Sequence, residues 1–170
     1  ASAWKLVKMS SNIGVRHAEP DDSRAVLGLM QALAEFEGYA ERFRVTEAAL
    51  YEGLFERRSF NVLVASVEGR LVGILTYYHL PFTYDLTPWV YMKELYVETD
   101  FRGAGVGRCL MNKLIAECRA RGGRRINWDV LSDNLSAKRF YQTLGARHDC
   151  SWELYALDLS EATEVGLELR

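Results

Sequence analysis

The strongest constraint on how this chain folds is a run of three glycines, spaced two residues apart, between a strand-like segment and a helix-like one. The stretch reads Glu94-Leu-Tyr-Val-Glu-Thr-Asp-Phe-Arg-Gly-Ala-Gly-Val-Gly-Arg108. Trp89 to Val97 carries the strand pattern. A helix is predicted from about Gly105 to Arg121, with Leu110, Met111, Leu114, Ile115 and Cys118 as its apolar stripe. Glycine lets backbone N–H groups approach a ligand closely. A helix N-terminus presents unpaired donors and about half a positive charge. Arg102-Gly103-Ala104-Gly105-Val106-Gly107 is therefore suited to an anion such as a diphosphate. Two familiar phosphate loops are excluded. No Gly-Lys-Ser/Thr follows at the spacing an NTPase loop needs. Nor do Gly103, Gly105 and Gly107 match the dinucleotide spacing Gly-x-Gly-x-x-Gly of a first βαβ unit.

The rest of the chain supplies a mixed set of elements. Ile13 and Val15 alternate with polar neighbours as a short strand. Glu19-Pro20-Asp21-Asp22 opens a helix whose apolar positions are Val26, Leu29, Met30, Leu33 and Phe36, with Gly38 ending it. Thr46 caps a second helix, with Val45 and Leu50 placed for a hydrophobic staple. Phe60–Val67 and Leu71–Tyr78 flank Glu68-Gly69-Arg70 as a hairpin. Leu80 to Pro88 is a loop. Ile126, Trp128 and Val130 alternate as a strand, Asn134 to Leu144 is a helix closed by Gly145, and Trp152 to Leu157 is a final strand. Strands and helices interleave, so the fold class is α/β or α+β around one mixed sheet.

Composition narrows the function. With 170 residues, one domain over 12–170 is expected, preceded by residues 1–11, which join no pattern and read as a leader or tag remnant, with Met9 as a candidate natural start. The net charge of −2 argues against a nucleic-acid partner. No apolar run is long enough to span a membrane. Cys109 and Cys118 lie on opposite faces of one predicted helix, about 13 Å apart along its axis, too far to bridge. With Cys150 they read as reduced thiols of a cytoplasmic protein. His17, His79 and His148 are scattered, and no metal site is expected.

The glycine turn resembles the acetyl-CoA signature Arg-x-x-Gly-x-Gly of the GNAT N-acetyltransferase superfamily. Asn134-Leu-Ser-Ala-Lys-Arg-Phe-Tyr141, followed by Leu144-Gly145-Ala146, is similar to that superfamily's second signature, in the expected order with a strand between. A closer resemblance is to the diamine (spermidine/spermine) acetyltransferase family. It rests on Leu33-Ala34-Glu35-Phe36-Glu37 before Val45-Thr46-Glu47, Phe82-Thr83-Tyr84-Asp85 before Trp89, and Gly145-Ala146 before Trp152. It covers most of residues 13–158. It implies a mostly antiparallel, twisted sheet with a V-shaped splay between the fourth and fifth strands, flanked by helices. It also implies a homodimer acting on a small-molecule amine.

Acetyl transfer from a thioester to an amine assigns roles under this resemblance. Arg102, Gly103, Ala104, Gly105, Val106, Gly107 and Arg108 would hold the diphosphate of acetyl-CoA, with Asn134, Ser136 and Ala137 from the second signature. Leu95, Tyr96 and Val97 would align the pantetheine arm along the strand edge. A free alkyl amine must shed a proton, which costs about 4–5 kcal/mol at neutral pH. Glu94 is the candidate base, and Tyr141 matches the family's general acid. Phe36, Glu37, Asp85 and Trp89 match the acidic cleft, and Asp129 is a candidate replacement for a lost charge. Two departures stand out: Lys93 and Cys150 occupy positions where the family has acids. A lysine-like amino acid or another short amine is thus as compatible as a polyamine. A protein Lys or N-terminal acetyltransferase and a non-catalytic acyl-CoA-binding domain remain alternatives.

Overall fold

The Glu68–Gly69 turn shows how local chemistry sets the sheet. Both residues have positive φ, 52° and 80°, the geometry that closes a two-residue hairpin with the right-handed twist of its strands. It joins β2 (Asn61–Val67) to β3 (Arg70–Pro81). β1 (Ile13–His17) pairs antiparallel with β2, and β4 (Pro88–Val97) antiparallel with β3. β5 (Ile126–Asn127) adds a parallel edge, so the order is β1-β2-β3-β4-β5. The computed structural model describes residues 12–81, 83 and 85–157. It divides into two compact units, Ala1–Asp129 and Val130–Arg170. The expected leader, Phe82 and Tyr84 lie outside the described residues.

Alternation along the strands gives the sheet of the first unit two apolar faces. One is covered by α1 (Ser23–Phe36) and α2 (Glu47–Tyr51), which runs on into a π-helical turn over Glu52–Glu56. Its core gathers Val26, Leu29, Leu33, Leu50, Leu54, Val62, Val64, Ile74 and Tyr96. Thr46 caps α2 as expected, its hydroxyl accepting from Ala49 N at 3.2 Å. The other face meets α3 (Val106–Ala120), which buries Leu110, Met111, Leu114 and Cys118. Gly73 allows this approach: a Cβ there would lie 3.1 Å from Tyr96 O and 3.3 Å from Val106 Cγ1.

β4 changes sides partway along. Glu94 stands opposite Thr76, yet Met92 stands opposite Tyr77. One step in β3 is thus matched by two in β4, and Lys93 is the extra residue of a β-bulge. Before it, Val90 and Met92 are buried with Tyr77 toward α3; after it, Tyr96 is buried with Ile74 toward α1.

Two expected strands are corrected. The segment from Ile126 to Val130 is a strand only over Ile126–Asn127, because its ladder has just two pairs, Val90 with Ile126 and Tyr91 with Asn127. β4 and β5 therefore part after Tyr91, where the splay was expected. Trp152 to Leu157 is no strand. Trp152, Leu154, Tyr155 and Leu157 are between 71% and 86% exposed. Alternation describes side chains, but a strand also needs a neighbour to pair with. In the second unit, α4 (Leu135–Thr143) starts where expected.

Candidate active site

Among the described residues no strand pairs with the β5-side edge of β4 along Leu95, Tyr96 and Val97, and the chain then enters the glycine turn. A one-turn 3-10 helix (Thr99–Phe101) leads to Arg102. Gly103 has φ 76°, and Gly105, the N-cap of α3, has φ 92°. Both values lie in the left-handed region that strains any side chain. The space where a Cβ would sit is open within 4 Å at both glycines. Ala104 and Val106 are buried and anchor the turn. Gly105 O accepts from Cys109 N at 3.0 Å, so the helix ladder starts there. The first turn of α3 thus starts beside two glycines whose missing side chains leave space among the described residues, and its positive end fits a bound diphosphate.

Arg102 links this turn to the α1 face. Its Nε donates to Val97 O at 2.8 Å. Its guanidinium lies 4.4 Å from the centre of the Phe36 ring and 5.6 Å from that of Tyr96. This explains why Phe36, expected on an apolar stripe, is 55% exposed. It ends α1 under a cation rather than inside the core.

Glu94 occupies the same face. Thr76, 2% exposed, donates its hydroxyl to Glu94 Oε2 at 2.6 Å. Among the described residues Thr76 is the one donor to this carboxylate, so acceptor capacity remains. Glu37, the C-cap of α1, is close enough to feel the Glu94 charge. Burial of its carboxyl and that charge push its pKa up, and Lys93 opposes the shift. Tyr39 and Tyr78 border the acids as well. Burial first, then Glu94, raises both phenols above their ordinary value, so they stay protonated and able to donate. Tyr91 stands across from Tyr78, and its hydroxyl donates to Asp129. Burial and this bond push Tyr91 up to about 12.

The other predicted substrate positions divide. Trp89 is half-buried, with the Arg125 guanidinium 5.1 Å from its ring centre. Asp85 is exposed and folds back on its own loop. It accepts from Thr87 N at 3.0 Å and Thr87 Oγ1 at 2.7 Å, and these bonds hold its carboxyl below the usual range. In the second unit, Asn134 caps α4, its side chain accepting from Ala137 N at 3.0 Å. Ser136 is exposed and Ala137 half-buried. Tyr141 is half-buried, its ring centre 5.4 Å from that of Phe140. Sequence reasoning missed Thr76, Tyr39, Tyr78 and Tyr91. Their one sequence signal is position on strands or a helix end flanking Glu94 and Glu37, and the bulge conceals which face they share.

A mostly antiparallel sheet whose fourth and fifth strands part beside a glycine-lined helix start is the architecture of an acyl-CoA-using transferase. The model of the Acetyltransferase (GNAT) family matches residues 27–146, and the chain belongs to this family. It is an N-acetyltransferase, related to enzymes of the diamine acetyltransferase group. It is 29% identical over 146 residues to thialysine N-epsilon-acetyltransferase of Sus scrofa, covering 81% of this chain and 85% of that protein. It is 27% identical to spermidine/spermine N(1)-acetyltransferase-like protein 1 of Homo sapiens, over 91% of this chain but 24% of that one. Among solved structures, an aminoglycoside acetyltransferase from an uncultured soil metagenomic sample, in complex with sisomicin, superimposes with a TM-score of 0.75. The two share 20% identity, over 88% of this chain and 99% of that one. No helix among the described residues is long and apolar enough to cross a membrane.

Proposed function

We propose that the chain moves the acetyl group of acetyl-CoA to a primary amine of a small cationic molecule, a lysine-like amino acid, a polyamine or a related amine. The observation that carries this reading is the Glu94 carboxylate. It is held by Thr76 on the strand that ends in the open glycine turn, with Glu37 and two protonated phenols on the same face. When bound, acetyl-CoA supplies a thioester open to attack by a neutral amine.

The amides from Gly103 to Arg108 bind its diphosphate. The edge of β4 along Leu95, Tyr96 and Val97, which lacks a strand partner among the described residues, offers backbone groups to the arm, with Val97 O already held by Arg102. Asn134, Ser136 and Ala137 contribute by resemblance. Glu37 and Glu94 attract the ammonium, and Phe36 and Trp89 wall the cleft. Glu94 Oε1 takes the ammonium proton directly or through water, and by resemblance Tyr141 would give a proton to the departing sulfur. The reading includes the homodimer that the resemblance implies, which sedimentation checks, and a cytoplasmic location.

A panel of lysine analogues, diamines, polyamines and lysine-bearing peptides, incubated with acetyl-CoA, tests the function. Acetylation of small amines with little on peptides is expected; acetylation of peptides alone overturns the acceptor class. Tyr141→Phe is expected to lower kcat by about 10²-fold or more with little change in the KM for acetyl-CoA.

A further inference from the structure

The β4 bulge puts a cation where an acceptor amine would dock. Met92 is 2% exposed and turned toward α3 with Tyr77, whereas Glu94 is hydrogen-bonded to Thr76 on the opposite face. Strand alternation from Met92 sends Lys93 to the Glu94 face. The bulge then keeps Glu94 on that face instead of returning it to the α3 side. Lys93 and Glu94 are thus consecutive residues sharing one side of the sheet. Lys93 is exposed, and among the described residues no carboxylate lies within ion-pair distance of it. Its charge reaches Glu37, on the element facing it, where it opposes the effect of Glu94.

We propose that Lys93 selects acceptors carrying a carboxylate together with the reacting amine, the α-amino-acid class, over plain diamines and polyamines. This inference rests on the acetyltransferase reading above. A molecule with only ammonium groups meets the Lys93 charge as repulsion beside the acids that attract it. A molecule with one carboxylate converts that repulsion into an ion pair. The flexible four-carbon stem of Lys93 follows the carboxylate over a range of acceptor lengths. Discrimination therefore comes from an unfavourable contact with the wrong substrate as well as a favourable one with the right substrate.

The test compares kcat/KM for L-lysine and for cadaverine, the same amine without the carboxylate, in the native enzyme, Lys93→Met and Lys93→Glu. The native enzyme is expected to prefer L-lysine. Lys93→Met is expected to cut the lysine-to-cadaverine ratio about tenfold, and Lys93→Glu to invert it, chiefly through KM. A ratio that stays fixed while both amines remain substrates overturns the role of Lys93. Equal losses on both amines also overturn it, because they mark a residue that supports the fold or the base. If the native enzyme acetylates neither these nor any other amine, the acetyltransferase reading itself fails, and the role of Lys93 with it.

Discussion

Two neighbouring hydroxyl residues of β3 each donate to a glutamate, on opposite faces of one sheet. Thr76 donates to Glu94 on the α1 side, and Tyr77 donates to Glu117 on the α3 side at 2.8 Å. Glu117 has further partners: His17 Nε2 at 2.9 Å and Lys113 Nζ at 3.3 Å. β1 and β3 thus meet α3 at this carboxylate, and both its oxygens are engaged by the protein. Glu94 has one donor and half-exposed surroundings. The difference teaches what separates a structural acid from a reactive one. A carboxylate saturated by its own protein joins elements together, whereas one held at a single oxygen can still take a proton from a guest.

Mutations that exchange these behaviours test the contrast. Glu94→Gln keeps the shape and the Thr76 contact but removes the base. It is expected to lower kcat/KM about 10²- to 10⁴-fold in steady-state assays and leave thermal melting within error. Glu117→Ala should do the reverse. It strands the hydroxyl of Tyr77, a residue 1% exposed, and should cost about 2–3 kcal/mol. Calorimetry should then show Tm lower by on the order of 5–10 °C, with turnover at low temperature little changed. A Glu117 variant that melts normally but loses activity would break the comparison.

Two smaller effects sharpen it. Thr76→Val removes the hydroxyl that fixes Glu94 and fills the same space, so kcat should fall on the order of tenfold through misplacement of the base, with little loss of stability. His79 is the quiet member of the α3 face. Both its ring nitrogens are buried without a hydrogen-bond partner among the described residues, and its ring stands edge-on to Tyr77 at 5.4 Å. Burial, then the nearby Arg121 charge, lowers its pKa below the ordinary value. The folded state therefore binds fewer protons than the unfolded one, so stability rises with pH and is lost as pH falls below about 6.5. His79→Phe should flatten that acid-side slope in melting curves recorded from pH 7.5 down to 5.5. An unchanged slope would remove His79 from the account.

Much of this was legible in the sequence, for identifiable reasons. Thr46, Gly105 and Asn134 announce helix starts because capping and turn chemistry are local. Residues within four positions decide them. The Glu68–Gly69 hairpin is local in the same sense. Glu94 stands out in the sequence as an acid on the strand that leads into the glycine turn. The donors to it were not readable. Thr76 lies 18 residues away, and matching it to Glu94 needs the register of β3 on β4, which the bulge shifts by one. Trp152 to Leu157 failed for a related reason: its alternation is real, but pairing is a property of two segments, not one. The bonds from Thr87 to Asp85 are local, two residues apart, yet whether a loop acid turns to its own backbone depends on loop geometry that composition does not give.

The bulge at Lys93 has one more consequence, for how β4 tolerates change. Inward and outward positions are a matter of odd and even counting, and one inserted residue inverts the parity of everything downstream. Deleting Lys93, the extra residue itself, would restore plain alternation and leave Glu94 opposite Thr76 and Tyr96 opposite Ile74, whereas a further residue added beside it without a new bulge would turn Glu94 toward the helix of the glycine turn. A strand built this way can shed its one unmatched residue and keep both faces, because its second half is held by its pairing with β3 rather than by counting from its start.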